Sequence, residues 1–191
     1  MLKGKRIGFA MTGSFCTFER VLKVLPEIVR LGAEVWPILS ETAYATDTRF
    51  MRAEEAIRRL TETCGRPPLH TIVQAEPIGP KKLLDLMIVA PATGNTIGKL
   101  AYGITDTCVA MACKAQWRNR RPVLLAISTN DGLSTSAEAI SKLKVRADTY
   151  FLPYEQDDPE GKPDSLVAKM ELLPSFAAEI LADLEKNQKE K

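Results

Sequence analysis

Apolar runs short enough to be β-strands alternate along the chain with longer segments whose apolar residues recur at helical spacing. This alternation is typical of a mostly parallel sheet that is covered by helices on both faces. We predict strands at residues 6–11, 34–39, 70–73, 86–90, 123–128 and 150–152, in the sheet order 3-2-1-4-5-6. The pattern predicts a single doubly wound α/β domain of three layers over residues 1–186 and a disordered tail at 187–191.

Helical spacing is clearest after the first predicted strand, where one face carries Phe18, Val21, Leu22, Leu25, Ile28 and Val29. Pro26 lacks a backbone donor and is expected to kink or divide this helix, and Gly32 is expected to end it. Further helices are predicted at 53–63, from about 95, at 106–117 and at 136–143. A last helix is predicted to run on from Leu166 with an interruption at Pro174. This order of elements is Rossmann-like.

Composition narrows the classes of function. The 191 residues are 45% hydrophobic and 26% charged, which excludes a wholly disordered chain and suits one domain with a core. Lys and Arg number 26 against 24 Asp and Glu, a balance that argues against nucleic acid as the partner. No apolar run reaches the roughly 20 residues that span a bilayer, and the start lacks the apolar region of a signal peptide. We therefore expect a cytoplasmic protein without a membrane partner.

Metal and triad chemistry find little support in the sequence. The 4 cysteines form no C-x-x-C pair, so a zinc site has no spacing signal, and we predict no metal. His70 is the only histidine, and no G-x-S-x-G elbow accompanies it. We expect His70 to be a surface or strand-edge residue rather than a catalytic base.

Small polar residues follow four of the predicted strands, in the turns TGSFCTF, SETA, PATGNTIGK and STND. Because the carboxyl ends of parallel strands share one edge of a sheet, we expect these turns to meet there. Small residues let backbone N–H groups approach a ligand, hydroxyls add donors, and helix N-termini favour an anion. The four turns together predict a phosphate-binding rim, although each alone is also typical of a helix cap. Neither a P-loop nor a G-x-G-x-x-G fingerprint is present.

The segment APATGNTIGKLAYGITDT resembles the P-A-[ST]-x-N-T-x-x-K-x-A-x-G-x-x-D signature of a flavoprotein family that includes flavin-dependent cysteine decarboxylases. The matching positions are Pro91, Ala92, Thr93, Asn95, Thr96, Lys99, Ala101, Gly103 and Asp106. The opening IGFAMTGS resembles the first strand and FMN-phosphate loop of that family, and the likeness covers residues 5–130. Within the family, TDTRF, AEPIGPK, LAISTND and FLPYEQDDPEGKPDSLVAKMELLP resemble the smaller subunit of a two-subunit oxidoreductase of spore-forming bacteria.

The resemblance implies that FMN is the cofactor and that residues in the four turns hold it. These residues are Thr12, Gly13, Ser14, Phe15, Ser40, Thr93, Gly94, Asn95, Thr96, Ser128, Thr129 and Asn130. No catalytic residue is assigned, and Asn95, Lys99 and Asn130 are the candidates. For the carboxylates of a substrate, the candidates are Lys99 and then Arg49, ahead of Lys114 and Arg118. Gly94 stands where the family usually has alanine, a difference that bears on how a flavin packs.

The resemblance also implies a partner subunit that binds NAD(P), a small dicarboxylate as substrate, and a homo-oligomer in the mother cell of a sporulating bacterium. The reaction it implies is a two-electron oxidation that makes a ring aromatic, which requires a cofactor as hydride acceptor. His70 lies farther ahead of the signature than the family's catalytic histidine, and STND replaces the substrate clamp P-x-M-N, so we do not expect cysteine decarboxylation. Two alternatives stay open: a non-catalytic FMN- or phosphate-binding scaffold subunit, and an independent flavin-dependent decarboxylase.

Overall fold

The structure, a computed structural model, describes the backbone of residues 2–189 and the side chains of residues 2–186. The strands are β1 (Arg6–Met11), β2 (Glu34–Leu39), β3 (Leu86–Ala92), β4 (Val123–Thr129), β5 (Thr149–Phe151), β6 (Tyr154–Glu155) and β7 (Leu166–Ala168). In the described part of the chain they form one sheet in the order β2-β1-β3-β4-β7-β6, with β5 also paired to β4. Strands β1 to β5 pair in parallel, whereas β7 is antiparallel to both β4 and β6.

Helices cover both faces of this sheet. They are α1 (Phe18–Arg30), α2 (Glu41–Ala45), α3 (Ala53–Cys64), α4 (Ile72–Ala75), α5 (Gly94–Ala101), α6 (Cys108–Arg118), α7 (Ala137–Lys144) and α8 (Leu173–Lys189). Three-residue 3₁₀ helices lie at Phe15–Thr17, Glu76–Ile78 and Met170–Leu172. One core cluster joins the sheet to α1, α3 and α8, and the other joins it to α4, α5, α6 and α7. The predicted three-layer, doubly wound α/β architecture is confirmed.

Strand β3 shows why the apolar runs are nearly continuous. Ile88 belongs to the core cluster on the α1 side and Val89 to the cluster on the α6 side, and both are fully buried. Because neighbouring residues of a strand point to opposite faces, a strand covered on both faces must be apolar at every position. Within the described residues, no helix combines the length and the apolar character that crossing a membrane requires.

The third predicted strand, at 70–73, is wrong. Among residues 2–189, the sheet extends beyond β2 only through an isolated bridge between Ile38 and Leu69, and α4 begins at Ile72. A capping box starts this helix: the Thr71 hydroxyl accepts the Gln74 N–H at 3.2 Å, and Gln74 Oε1 accepts the Thr71 N–H at 3.1 Å. Such reciprocal bonds satisfy the free donors of a first turn, so helix prevails over strand here.

The C-terminal segment also differs from its prediction. Leu166 lies in β7 rather than in a helix, and α8 begins only at Leu173, so Pro174 falls in the first turn instead of interrupting the helix. The missing N–H of a proline costs nothing in a first turn. Similarly, Pro26 does not divide α1, which runs unbroken across it. The predicted tail at 187–191 is helical as far as Lys189, and residues 190 and 191 lie outside the described residues.

Strand β4 pairs with two different strands along its length, an arrangement that the pattern of apolar residues did not predict. Its beginning pairs in parallel with β5, from Val123 to Leu125. Its end pairs with the antiparallel strand β7, through Ser128 with Val167 and Thr129 with Leu166. This pairing brings the loop at 156–164 back to the carboxyl end of the parallel strands.

At the amino end of the parallel strands, the Asp85 carboxylate accepts the Arg6 backbone N–H at 2.9 Å. It also faces the guanidinium groups of Arg6 and Arg121, at 3.3 and 3.2 Å. Burial alone would raise the pKa of Asp85, but the bonds from Arg6 and the charges of both arginines outweigh it and hold this pKa below its ordinary value. The stabilisation is therefore complete above the unfolded pKa near 4 and is lost as the pH falls through the folded pKa.

We predict that Asp85→Asn lowers the free energy of unfolding at pH 7 by about 1 kcal/mol, a modest value because the site is partly exposed and screened. Urea unfolding at pH 7 and pH 3 measures this difference. The difference should be smaller at pH 3 than at pH 7, because the stabilisation is lost as the pH falls below the unfolded pKa towards the lowered pKa of the folded state. Asp183→Asn, on the exposed face of α8, is the matched control and should change little. A difference that persists undiminished at pH 3 would contradict the electrostatic account.

Candidate functional site

A cavity of about 400 Å³ opens where the parallel strands end. The turn after β1 supplies one wall, and the ends of β3 and β4 supply the floor. The loop between α2 and α3 and the loop ahead of β7 close the remaining sides. The lining residues are Gly13, Ser14, Phe15, Cys16, Arg49, Phe50, Thr93, Ser128, Thr129, Asn130 and Lys162.

Two hydroxyls meet across this cavity. Ser14 Oγ, in the turn after β1, lies 2.8 Å from Ser128 Oγ at the end of β4, and Ser128 is only 4% exposed. Ser128 also donates to Thr17 Oγ1 at 3.4 Å, and Thr17 donates to the Ser14 carbonyl at 2.7 Å. This closed set of bonds fixes the two serines, so the cavity presents hydroxyls whose positions do not depend on a ligand.

The Thr12 side chain joins β1 to β3 rather than facing a ligand. Its hydroxyl donates to the Pro91 carbonyl at 2.7 Å and accepts the Thr93 N–H at 3.1 Å, and the residue is 1% exposed. Thr93 in turn caps α5, because its own hydroxyl accepts the Thr96 N–H at 3.3 Å. Thr12 and Thr96 therefore hold the two turns in place, while Thr93 alone of the three lines the cavity.

Other predicted site residues lie outside the cavity lining. Ser40 is buried and caps α2 by accepting the Ala43 N–H at 3.2 Å. Gly94 and Asn95 line a neighbouring cavity of about 350 Å³ between α5 and α7. The structure thus brings together the turns after β1, β3 and β4, and it leaves the turn after β2 as a helix cap.

The packing around Gly94 explains why alanine is absent there. A Cβ at this position would lie 2.6 Å from Asp131 Oδ1 and Ser136 Oγ and 2.7 Å from Thr129 Oγ1. The Asp131 carboxylate accepts bonds from both hydroxyls, including Ser136 Oγ at 2.9 Å. A polar cluster at the end of β4 therefore occupies the space that a side chain on Gly94 would need.

The two cations predicted for substrate carboxylates have different surroundings. Lys99 Nζ binds both carboxylate oxygens of Asp106, at 2.7 and 2.6 Å, and it does not line the cavity. This bond ties the end of α5 to the start of α6, so two matched positions of the family signature brace one another. Arg49 does line the cavity, and no acidic group pairs with it within residues 2–186. Lys114 borders a separate groove beside Trp117.

His70 and the cysteines offer little for catalysis. The His70 ring stacks on Tyr44 with their centroids 3.7 Å apart, away from the residues that line the cavity. Burial raises the pKa of the Cys108 thiol to about 12, with the Glu41 charge adding to the effect. No cluster of three or more histidine, cysteine or acidic side chains suited to a metal occurs in the described part of the chain. Cys16 is exposed at the cavity wall.

Three lining residues were missing from the predicted site: Cys16, Phe50 and Lys162. Phe50 is next to the predicted site residue Arg49 in the sequence. An aromatic residue in an otherwise polar loop is the signal that could have identified Phe50 as a site residue. Lys162 lies in the acid-rich loop at 156–164, and only the pairing of β7 with β4 brings it to the cavity. Because β7 was not among the predicted strands, the contact between Lys162 and the cavity could not be predicted.

The cavity fits the phosphate end of FMN. Gly13 lines the cavity and leaves its backbone open to a ligand on that wall. At the start of the helical segment that leads into α1, the N–H groups of Ser14 and Thr17 donate to carbonyls of the same turn, at 2.7 and 3.1 Å, whereas those of Phe15 and Cys16 are available to an anion. The Ser14 hydroxyl, which can turn its proton from Ser128 to a ligand, completes a donor set suited to a phosphate monoester.

Comparison with known proteins shows the family to which the chain belongs. A model of the family described as Flavoprotein matches residues 1–180, and the chain belongs to the flavoprotein family. More particularly, the chain is 48% identical over 173 residues to the B subunit of dipicolinate synthase from Bacillus subtilis (strain 168), across 91% of this chain and 86% of that protein. This confirms the resemblance to the smaller subunit of a two-subunit enzyme.

Solved structures show the same relationship. The crystal structure of the B subunit of dipicolinate synthase from Bacillus halodurans C superposes with a TM-score of 0.86 and 42% identity, covering 95% of this chain and 93% of that chain. DmrB of Burkholderia xenovorans in complex with FMN superposes with a TM-score of 0.71 and 16% identity, covering 95% of this chain and 97% of that chain. The second likeness shows the fold alone.

Proposed function

We propose that this chain is the B subunit of a dipicolinate synthase, which acts with the A subunit to oxidise dihydrodipicolinate, or a hydroxytetrahydrodipicolinate after loss of water, to dipicolinate during sporulation. The observation that carries the proposal is the strand-end cavity, in which a hydroxyl cradle and an arginine free of acidic partners in the described part of the chain face one space. The similarity to the B subunit of the Bacillus subtilis enzyme, over 91% of this chain, supports the same assignment.

The cradle is proposed to hold FMN by its phosphate. Ser14 would turn its hydroxyl proton from Ser128 Oγ to the phosphate, and the backbone N–H groups that follow Ser14 would donate as well. FMN, when bound, supplies a two-electron acceptor that side chains cannot provide. The oxidation removes a hydride and a proton from the ring, and the acceptor is either this flavin or an NAD(P) on the A subunit. Arg49 is proposed to bind a substrate carboxylate, and Asn130, at the cavity wall, to orient the ring.

The test is reconstitution of the full chain with the A subunit of dipicolinate synthase, with and without added FMN, followed by chromatography of the product. We expect dipicolinate only when both proteins are present, and a faster rate with FMN. Dipicolinate formed without this chain would overturn the proposal. A chain that takes up no FMN but is still required for the reaction would identify a scaffold. Carbon dioxide released by this chain alone would identify a decarboxylase.

We also propose a homo-oligomer, since DmrB is described as a cubic protein cage. Sedimentation velocity of the purified chain measures its state, and a single monomeric species would contradict this part of the proposal.

A further inference from the structure

Phe50 presents its ring to the cavity instead of to the core. It is 51% exposed, although large apolar side chains are normally buried, and it lines the same space as Phe15. Phe50 belongs to neither of the two core clusters formed by the described residues. An exposed ring at the wall of a polar cavity offers a flat face on which a planar ligand stacks.

The turn that carries Phe50 is fixed before any ligand arrives. The Thr48 hydroxyl accepts the N–H groups of Phe50 and Met51 at 3.2 and 3.3 Å and donates to the Met51 carbonyl at 3.1 Å. The Asp47 carboxylate accepts the Ala53 N–H at 2.8 Å, which ties the turn to the start of α3. Pre-ordering of this kind lowers the entropy that binding must overcome.

Two cations from distant parts of the chain line the same cavity, and one of them lies over the Phe50 ring. The Arg49 guanidinium carbon lies 4.8 Å from the centroid of the Phe50 ring, and no acidic residue pairs with Arg49 in the described part of the chain. Lys162 reaches the same cavity from the loop ahead of β7, and its ammonium is 3.5 Å from Asp157. The cavity therefore combines an exposed aromatic ring with two cations. Arg49 has no acidic partner in the described part of the chain, and Lys162 has Asp157 as its acidic partner.

We propose that Arg49, Phe50 and Lys162 form a substrate clamp for a planar ring that carries two carboxylates, with Thr48 as the positioning residue. The clamp is distinct from the hydroxyl cradle on the other wall. It rests on the proposed function and deepens it by naming the groups that recognise the dicarboxylate. Phe50 stacks on the ring, while Arg49 and Lys162 each bind one carboxylate.

The test is calorimetric titration of the full chain at pH 7 with three probes: pyridine-2,6-dicarboxylate, the saturated dianion cis-cyclohexane-1,3-dicarboxylate, and pyridine-2-carboxylate. We expect the planar dianion to bind about three- to tenfold more tightly than the saturated one. Phe50→Ala should remove that preference, and Phe50→Tyr should restore it. Arg49→Gln and Lys162→Gln should each weaken the planar dianion about tenfold, towards the affinity of the monocarboxylate.

Two further variants serve as controls in the same titration. Thr48→Val should weaken the planar dianion less than the cation variants do, without altering the preference for planarity. Lys23→Gln, on the outer face of α1, is the matched control for loss of a positive charge and should change nothing.

FMN titration of the same variants separates this clamp from the cofactor site. We expect Arg49→Gln, Phe50→Ala and Lys162→Gln to take up FMN as the natural chain does. Loss of FMN with unchanged dicarboxylate binding would overturn the clamp, because the cations would then serve the cofactor phosphate. No binding of the planar dianion at about 1 mM would overturn it as well. If the clamp binds its probe but reconstitution with the A subunit yields no dipicolinate, the proposed function fails and the clamp stands.

Discussion

Ser14→Asp is expected to abolish FMN uptake, with an affinity at least about 100-fold below that of the natural chain. The substitution places a carboxylate beside Ser128 Oγ, within the cradle proposed for the phosphate. Two like charges about 4 Å apart in a partly screened site repel by about 4 kcal/mol, and a phosphate monoester carries nearly two charges. Quenching of flavin fluorescence during titration of the purified, desalted chain measures the affinity.

Ser141→Asp, on the exposed face of α7, is the matched control for charge and should leave FMN uptake unchanged. Ser14→Ala removes the hydroxyl without adding charge, and we expect a loss of only about fivefold. If Ser14→Asp binds FMN normally while remaining folded by circular dichroism, the phosphate lies elsewhere. Dicarboxylate binding by the clamp provides a second readout on the same variant.

Thr12→Val is expected to give the largest loss of stability among these substitutions, about 2–3 kcal/mol, or roughly 4–10 °C in Tm for a chain of this size. Valine keeps the shape, but it removes the donor to the Pro91 carbonyl and the acceptor for the Thr93 N–H in a buried place. An unsatisfied buried amide costs more than the bond itself contributes. Urea unfolding measures the change.

Thr12→Ser is the matched control, since it keeps both bonds and should recover most of the stability. Thr149→Val, on an edge strand where the hydroxyl makes only a long bond to the Ala147 carbonyl, should cost little. A Thr12→Val chain as stable as the natural one would mean that the bonds between the ends of β1 and β3 contribute nothing net.

The sequence was most informative where burial imposes a pattern. Helices cover both faces of β3 and of β4 up to Ile127, so these stretches are apolar throughout and their runs could be recognised directly. The turn chemistry after β1 and β3 could likewise be recognised, because small hydroxyl residues there either cap a helix or line the cavity. Both roles use the same residue types, so the sequence did not separate Thr96, a cap, from Ser14, a cavity residue.

What could not be predicted depends on contacts between distant segments. Only Leu166 and Val167 pair β7 with the end of β4, and Leu166 also fits the helical spacing that continues to Met170 and Leu173, so nothing local excludes the helix. Lys162 reaches the cavity only through that pairing. Lys99 was placed at the substrate because it lies inside the matched motif, yet its partner is Asp106, seven residues along the same segment. A lone cation in a sequence does not reveal which carboxylate neutralises it.

Strand β4 pairs with β5 at its beginning and with β7 at its end, and this arrangement affects the order in which the protein folds during synthesis. Ser128 and Thr129 acquire their final partners only when residues 166–168 have been synthesised, since β7 holds that end of the strand. Chains fold from the N-terminus as they leave the ribosome, so the first half of the Rossmann-like sheet can assemble while the ligand pocket is still open on one side. We therefore expect FMN to bind only after β7 has been synthesised. A nascent chain stalled before residue 160 should not retain FMN.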